Sequence, residues 1–191
     1  AWERSHDALT QLYNRAAFDE RLGLLLAERS ARPRGADAAG SEAGAGDGVV
    51  LFLDLDHFKA INDIAGHDAG DDVLRHVARL LESQVRQIGW AARLGGDEFA
   101  VVLPGCALAR GQAVAEQLRA SVQSWEPSYQ GRSFTLGVSI GLVVLDAGLQ
   151  DVPSVLYAAD MACYDAKRAG RNRVEMREAT TTSGRMALGP A

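Results

Sequence analysis

Two pairs of acidic residues stand where carboxylates could meet and do chemistry. Asp54 and Asp56 come directly after an apolar run, 49–53, and Asp97 and Glu98 follow two glycines between two further apolar runs. The first run has no polar face, which is typical of a central strand covered on both sides. The glycine-led segment predicts a tight β-hairpin turn. If the strands are neighbours, the carboxylates converge at one edge of the sheet.

Converging carboxylates are suited to holding Mg²⁺ beside a phosphate substrate. Mg²⁺ is usually bound by one or two carboxylates and keeps its other positions for water and phosphate oxygens. Two such ions can activate a hydroxyl and stabilise a leaving group in phosphoryl transfer. The alternative is structural, since aspartates at a strand end also cap the following helix.

Basic residues at two further places could meet phosphate. Phe58 and Lys59 open the stretch after the strand, where backbone N–H groups and a lysine are available. Lys167 and Arg171 are four residues apart near the end of the last predicted helix and could grip a polyphosphate. The plainer interpretations are an exposed lysine at a helix start and ordinary compensation of the helix dipole.

Strands and helices alternate along the chain, with one hairpin in the middle. Apolar residues at helical spacing predict a first helix capped by Asn14. The whole pattern predicts an α/β (α+β) sandwich with a central mixed sheet of about five strands, flanked by helices. The predicted strands are 49–53, 90–94, 99–103, 134–145 and 173–176. Two predicted helices cover 58–66 and 152–169, and three more start at Asn14, near Asp68 and at Leu108.

Composition excludes several classes of protein. The 191 residues carry 20 Lys and Arg against 25 Asp and Glu, a formal net charge of −5, which argues against a broad nucleic-acid or membrane-surface footprint. Two cysteines, without metal-binding spacing, exclude a disulfide framework and favour a cytoplasmic setting. No apolar run approaches the ~18 residues of a membrane span. The expectation is a soluble domain without direct membrane contact.

Five ordered motifs carry a resemblance to a known family. They are RLGGDEF (93–99), DALTQLYNR (7–15), DLDHFKAINDIAGHDAGD (54–71), GVSIG (137–141) and YDAKRAGRNR (164–173). On these motifs the chain resembles GGDEF domains, the diguanylate cyclases, whose sheet is like that of nucleotide cyclases and the polymerase palm. The resemblance covers residues 7–176. It implies that 1–6 end an upstream linker or helix. The composition of two further segments, Gly/Ala-rich at 30–48 and Thr/Ser/Gly-rich at 177–191, predicts a flexible loop and a disordered tail.

The family resemblance implies a reaction. Two GTP molecules condense to cyclic di-GMP, a bacterial second messenger, and two pyrophosphates leave. The implied cofactor is Mg²⁺, two ions per site, with Mn²⁺ able to substitute. Because one site holds one GTP, the active species would be a two-fold homodimer, which can be transient. The start of the chain, just before DALTQLYNR, implies that an upstream sensory or dimerisation domain is missing, and that domain could tether the full-length protein to a membrane.

The resemblance also implies roles for individual residues. Asp54, the carbonyl of Leu55, and Asp97 would hold Mg²⁺, with Glu98 at a second metal position. Asp97 or Glu98 would help deprotonate the 3′-hydroxyl, and we favour Asp97. An amide and a carboxylate would select guanine over adenine. The implied substrate contacts are Asn62 and Asp71 for guanine, His67 nearby, Phe58, Lys59, Lys167 and Arg171 for the triphosphate, and Gly95 and Gly96, which leave room for it.

Two positions depart from the family pattern. The inhibitory RxxD motif of the family corresponds here to residues 86–89, where Arg86 is kept and Gly89 replaces the aspartate. A glycine offers no side-chain acceptor, so we expect weak or absent product inhibition. Gln11 replaces the usual glycine of the first motif, which we interpret as a local effect on a turn.

Three alternatives compete with an active cyclase. One is a domain of this family that binds GTP and signals through a protein partner without turnover. The others are a receptor for cyclic di-GMP, which the incomplete RxxD disfavours, and a different nucleotidyl transferase on a palm-like sheet. The complete set of implied metal and GTP residues favours the enzyme.

Overall fold

The helices and strands of the described residues position the predicted site residues. The computed structural model describes residues 1–31, 45–145 and 151–177. Its helices are α1 (Trp2–Ser5), α2 (Arg15–Ala31), α3 (Phe58–Ala65), α4 (His67–Val85), α5 (Leu108–Ser124) and α6 (Val152–Arg168). Its strands are β1 (Ala45–Asp56), β2 (Trp90–Gly95), β3 (Glu98–Cys106), β4 (Ser128–Tyr129), β5 (Arg132–Ser133), β6 (Gly137–Val144) and β7 (Val174–Met176).

A five-stranded mixed sheet in the order β2-β3-β1-β6-β7 forms the centre of the fold. β1 pairs antiparallel with both β3 and β6, and β7 adds to β6 in parallel. In this register Asp54 lies opposite Glu98 on one side and Ser139 on the other. The predicted mixed sheet is confirmed, and the two acidic pairs do belong to neighbouring strands.

Both faces of the sheet are covered by helices, which explains the unbroken apolar run of β1. Alternate residues of a strand point to opposite faces. Leu51 and Leu53 belong to the core shared with α4 and α5. Val50 and Phe52 belong to the core shared with α2 and α6. β1 is therefore fixed from both sides up to the acidic residues at its end.

The first long helix begins as predicted. The side-chain oxygen of Asn14 accepts a hydrogen bond from the backbone N–H of Ala17 at 2.9 Å. This satisfies one of the unpaired donors of the first turn. Just before it, Gln11 has φ of +63°, so the residue that replaces a glycine does occupy a left-handed turn position. No helix of the described residues is long and apolar enough to cross a membrane.

Several predicted boundaries differ from the structure. The strand predicted over 134–145 begins only at Gly137, because residues 128–133 form the small β4–β5 hairpin and Phe134 donates a hydrogen bond back to Pro127. Phe134 and Leu136 still pack into the core, so their alternation reports burial and not strand pairing. Of the loop predicted over 30–48, residues 30–31 belong to α2 and 45–48 to β1, and 32–44 lie outside the described residues. Residues 146–150 also lie outside them.

The predicted disordered tail includes one residue that the structure places. Arg177 donates two hydrogen bonds to the carboxylate of Asp165 on α6, at 2.6 and 3.0 Å. Its backbone N–H also donates to the Leu142 carbonyl. The remainder of that prediction, 178–191, lies outside the described residues.

Candidate active site

Three carboxylates meet at the end of β1, and we call Asp54, Asp97 and Glu98 the carboxylate cluster. Asp54 is buried at the end of the central strand, directly opposite Glu98. The backbone N–H of Leu55 donates to the Asp97 carbonyl at 3.3 Å, so the hairpin turn is held against β1. The convergence predicted from the two acidic pairs is therefore present.

The electrostatics of the cluster are unfavourable to three full negative charges. Burial raises the pKa of Asp97 above its ordinary value, and repulsion by Asp54 raises it further. Burial also raises the pKa of Glu98, followed by repulsion from Asp54 and Asp160. Such crowding is relieved by binding a cation or by accepting a proton. The cluster can do either.

Lys167 supplies a positive charge to this cluster. Its Nζ donates to Oδ2 of Asp54 at 2.6 Å, with the lysine about one-third exposed. Burial opposes the charge, but the hydrogen bond from Lys167 to Asp54 raises the lysine pKa above its ordinary value, so the side chain stays protonated. The residue predicted to meet phosphate thus lies beside the carboxylates and contacts one of them in the structure.

The donor set fits a hard divalent cation that also binds phosphate. In 1–31, 45–145 and 151–177, no three His, Cys, Asp or Glu side chains form a metal-ligand group. Asp54 is close enough to Asp97 to raise the pKa of the Asp97 carboxyl, in addition to the larger effect of burial. Two neighbouring carboxylates with open space for phosphate and water are the usual protein contribution to an Mg²⁺ site.

Asp56 has a different role from Asp54, although both follow the same apolar run. Its Oδ1 accepts from the Ser139 hydroxyl at 2.7 Å, and its Oδ2 accepts from the backbone N–H of Asn172 at 2.9 Å. Asp56 is therefore an anchor for the chain after α6. That chain carries Arg171, an exposed residue with φ of +62°. The pairing of Asp56 therefore fixes the backbone directly after Arg171.

A second ion-pair system fixes the hairpin turn, and sequence reasoning gave it no role. Arg93 donates to both carboxylate oxygens of Asp7, at 3.2 and 3.1 Å. The same guanidinium donates twice to the Gly96 carbonyl, at 3.0 and 2.8 Å. We call Asp7, Arg93 and Gly96 the turn anchor. Its only sequence signal was that two of the five motifs contain these residues.

The two residues predicted to contact the guanine base lie on the two helices of the α3–α4 corner, Asn62 on α3 and Asp71 on α4. A Cβ placed on Gly70 would lie 1.8 Å from Oδ1 of Asn62 and 3.2 Å from Cζ of Phe58. Only a glycine at residue 70 therefore allows Asn62 this position. Gly70 directly precedes Asp71 in the first turns of α4. Gly70 was missed by sequence reasoning, since nothing in its local pattern marks a close contact.

The other predicted substrate residues at this corner differ in exposure. The side chain of Phe58 packs on the core, so a phosphate contact from this residue would come from its backbone. Lys59 and His67 are exposed, at the first turns of α3 and α4. Both are free to reach a bound molecule.

The two glycines of the hairpin are explained by backbone conformation. Gly95 has φ of +146° and Gly96 has φ of +50°, which L side chains rarely adopt. A Cβ at either position would meet nothing within 4 Å. The predicted clearance for phosphate remains a prediction, and the turn itself already requires glycine.

The residues matching the family's inhibitory motif lie at the far end of α4. Arg86 comes 19 residues after His67, which is about 28 Å along the helix axis. It lines a cavity of about 490 Å³ together with Arg110. A Cβ on Gly89 would lie 2.0 Å from the Val102 carbonyl oxygen. The backbone here is thus packed too closely for any side chain at residue 89.

Comparisons with known proteins identify the family that this chain matches. The family model described as "Diguanylate cyclase, GGDEF domain" matches residues 4–173. The chain is 38% identical over 192 aligned residues to the probable diguanylate cyclase DgcE of Escherichia coli, covering 98% of this chain and 16% of that protein. It is 39% identical over 170 residues to the diguanylate cyclase DgcP of Pseudomonas aeruginosa, covering 89% of this chain and 23% of that protein.

A solved structure shows the same fold. The coiled coil and GGDEF domain of DgcB from Caulobacter crescentus, in complex with c-di-GMP, superposes with a TM-score of 0.77 at 34% identity. The match covers 92% of this chain and 86% of that one. The chain spans less than a quarter of the two curated relatives named above.

Proposed function

The chain belongs to the GGDEF domain family of diguanylate cyclases, and we propose that it condenses two molecules of GTP into cyclic di-GMP with release of two pyrophosphates. The carboxylate cluster is the observation that carries this proposal. It gathers Asp54, Asp97 and Glu98 at one edge of the sheet, with Lys167 beside them. An acidic site of this kind suits a strongly anionic substrate only when a divalent cation joins the two.

The metal would be held by Asp54, the Leu55 carbonyl and Asp97, with Glu98 at a second position. When bound, Mg²⁺ or Mn²⁺ supplies positive charge that reconciles the triphosphate with the carboxylates and stabilises the leaving pyrophosphate. The chain contributes a rigid strand end and a hairpin turn, both fixed by backbone hydrogen bonds. This rigidity holds the donors in place before substrate arrives.

Proton removal from the attacking 3′-hydroxyl falls to Asp97 or Glu98, with Asp97 preferred. The pKa of each is raised by burial and by neighbouring carboxylates, so each is a better proton acceptor than an exposed acid. Asp97 lies in the turn itself, and its backbone is tied to β1 through Leu55. That tie fixes the position from which it acts.

Recognition of GTP is shared between two groups of residues. Asn62 and Asp71 offer an amide and a carboxylate, which match the O6, N1–H and amino group of guanine and mismatch adenine. Lys59, Lys167 and Arg171 would bind the triphosphate together with the backbone at Phe58, while His67 stands nearby. In this proposal Lys167 exchanges its contact with Asp54 for a phosphate when metal and nucleotide enter.

Catalysis would take place in a two-fold homodimer, because each copy holds one GTP and the product needs two guanosines. The dimer can be transient, and an upstream sensory or dimerisation domain would bring the copies together. We place the reaction in the cytoplasm, where GTP is available.

Turnover of GTP tests the proposal directly. The protein is incubated with GTP and Mg²⁺ over a series of protein concentrations, and cyclic di-GMP and pyrophosphate are measured. We expect two pyrophosphates per product and a specific rate that rises with protein concentration. Saturable GTP binding without product at the highest concentration would refute the enzyme and identify a silent GTP-binding module. Asn62→Ala is expected chiefly to weaken the preference for GTP over ATP.

A further inference from the structure

One face of α6 carries two largely exposed aromatic side chains, with the Arg168 guanidinium 5.9 Å from the centre of the Tyr164 ring. The residues of this face follow helical spacing at i, i+3, i+4, i+7 and i+11, and all but the partly buried i+4 residue are exposed. Tyr157 is 69% exposed and Tyr164 is 52% exposed. The opposite face of the helix is buried on the sheet. We call this outward face the α6 stripe, and it consists of Tyr157, Asp160, Met161, Tyr164 and Arg168.

The α6 stripe borders the carboxylate cluster. Asp160 acts electrostatically on Glu98. Lys167, on the same flank of the helix, donates to Asp54. The opposite flank is occupied by the ion pair between Asp165 and Arg177. A molecule docked on the α6 stripe would therefore border the carboxylate cluster only along the flank that carries Asp160 and Lys167.

The charges of the α6 stripe are arranged so that they would complement the same stripe on a second copy of the chain. Asp160, Tyr164 and Arg168 follow at four-residue steps, about 6 Å apart along the helix. If two copies of α6 pack antiparallel about a two-fold axis at Tyr164, each Asp160 lies level with Arg168 of the second copy. The two tyrosines then pack against each other at the axis. Self-complementarity of this kind is what a two-fold interface requires.

Symmetry also decides between the two ways of pairing the helices. A two-fold axis perpendicular to both helices keeps the two sites on the same flank of the interface, facing each other. An axis parallel to the helices would place the sites on opposite flanks and would bring Asp160 level with Asp160 of the second copy. Reciprocal attack between two bound GTP molecules needs the first arrangement.

We propose that the α6 stripe is the surface on which a second copy of this chain docks antiparallel, so that the two carboxylate clusters face each other. This inference rests on the proposed function, because that reaction is what makes the site incomplete without a second copy. Tyr164 lies on the axis, and the Asp160–Arg168 pairs set the register. Opposite charges across an interface favour the correct pairing, and like charges oppose it.

Charge reversal with complementation tests the register. Asp160→Arg and Arg168→Asp each place like charges at both contacts, so we expect each variant to lose about tenfold or more of its cyclic di-GMP formation at low protein concentration. An equimolar mixture restores opposite charges at both contacts and is expected to regain most of the wild-type rate. Glu20→Arg, a charge reversal on the exposed face of α2, is the control and keeps the wild-type rate. Single variants with wild-type rates, or a mixture no better than the mean of its components, would overturn the proposal.

A disulfide test is independent of turnover. Tyr164→Cys places a thiol on the proposed axis, and we expect mild oxidation with GTP and Mg²⁺ present to link most of the protein as dimers. Leu24→Cys, which replaces a side chain of similar exposure on α2, is expected to remain largely monomeric. The two native cysteines are buried and do not compete. Equal linking of both variants, or of neither, would contradict the proposal.

The two proposals fail separately. If wild type makes cyclic di-GMP while the reversals and Tyr164→Cys behave like their controls, the docking surface is wrong and the enzyme stands. If wild type makes no product but Tyr164→Cys links selectively, the surface stands and the enzyme proposal fails.

Discussion

The turn anchor and the carboxylate cluster lie on either side of the same hairpin turn and treat their acidic groups in opposite ways. At the anchor, burial works against the charge of Asp7, but hydrogen bonds from Thr10 and Arg93 outweigh it and hold its pKa below the ordinary value. At the cluster, burial and mutual repulsion raise the pKa of Asp97 and Glu98. One carboxylate is fully paired within the fold, and the others are crowded.

The difference separates residues that stabilise the turn from residues available for chemistry. A carboxylate whose pKa is lowered by partners contributes to folding, whereas one whose pKa is raised costs stability at neutral pH. The anchor can offset part of that cost, because Arg93 holds the Gly96 carbonyl next to Asp97. The hairpin turn thus combines the stabilising turn anchor with carboxylates that are available for chemistry.

The largest expected effect comes from removing the charge of Asp97 in the carboxylate cluster. Asp97→Asn should lower turnover by about 10²–10⁴-fold, the range for loss of an acid–base group. It should also raise the unfolding midpoint of metal-free protein at neutral pH, because one crowded charge is gone. Steady-state kinetics and thermal melts without Mg²⁺ measure both. A variant with unchanged turnover, or one that melts lower than wild type, would contradict the contrast between the two sides.

A substitution without charge tests whether recognition is separate from the cluster. Gly70→Ala would displace the side chain of Asn62 from its present position. We expect the KM for GTP to rise by roughly 10–100-fold, a loss typical of a disrupted recognition contact, with a smaller change in kcat. Gly66→Ala is a less suitable comparison because of its positive φ, so Ala65→Gly, at the last residue of α3, serves as control. An unchanged KM would argue against the corner as the guanine site.

Removing the anchor should act mainly on stability. Arg93→Ala leaves Asp7 partly buried without its partner and frees the Gly96 carbonyl, so we expect a loss of about 1–3 kcal/mol in the free energy of unfolding. Arg75→Ala breaks an exposed pair with Asp72 and should cost less than about 1 kcal/mol. Urea titration of both variants gives the comparison. Equal losses would show that the anchor is an ordinary surface ion pair.

The two sides should respond to pH in opposite directions. The folded pKa of Asp7 is lowered, so its contribution is present above the ordinary carboxylate value of about 4 and is lost as pH falls through the lowered value. The folded pKa values of Asp97 and Glu98 are raised, so their effect on stability becomes unfavourable as pH rises above about 4. Asp7→Asn should therefore reduce the fall in the free energy of unfolding as pH drops below about 4. Asp97→Asn should reduce the unfavourable change as pH rises above about 4. Identical profiles of stability against pH for the two variants would contradict the difference between the turn anchor and the carboxylate cluster.

The smallest expected effect lies at the far end of α4. If the cluster is governed locally, added cyclic di-GMP should inhibit weakly or not at all, and Arg86→Ala should leave the rate unchanged. Gly89→Asp should destabilise the protein and should not create inhibition, because its Cβ would clash with the Val102 carbonyl. A titration with product measures this. Tight inhibition that Arg86→Ala abolishes would refute the prediction.

Much of the fold and of the candidate site could be predicted from the order of residue types. The apolar run of β1, the hairpin glycines and the Asn14 cap are local signals, and each predicted its element. The spacing of Asp54, Asp97 and Glu98 predicted a shared edge once β1 and β3 were taken as neighbours. The strand at 134–136 was wrong, because periodic burial there comes from packing without pairing.

The remaining features depend on contacts between residues distant in sequence. Asp54 and Asp56 look equivalent in sequence, yet one lies beside Lys167 and the other binds Ser139 and Asn172. The link from Asp7 to Arg93 spans 86 positions. The clearance that Gly70 gives Asn62 depends on how two helices meet. The chemical groups and the elements that carry them could be predicted without the fold, because they depend on residue type and local periodicity. Which carboxylates are paired and which are crowded could not, because burial and charge proximity arise only when separate elements pack.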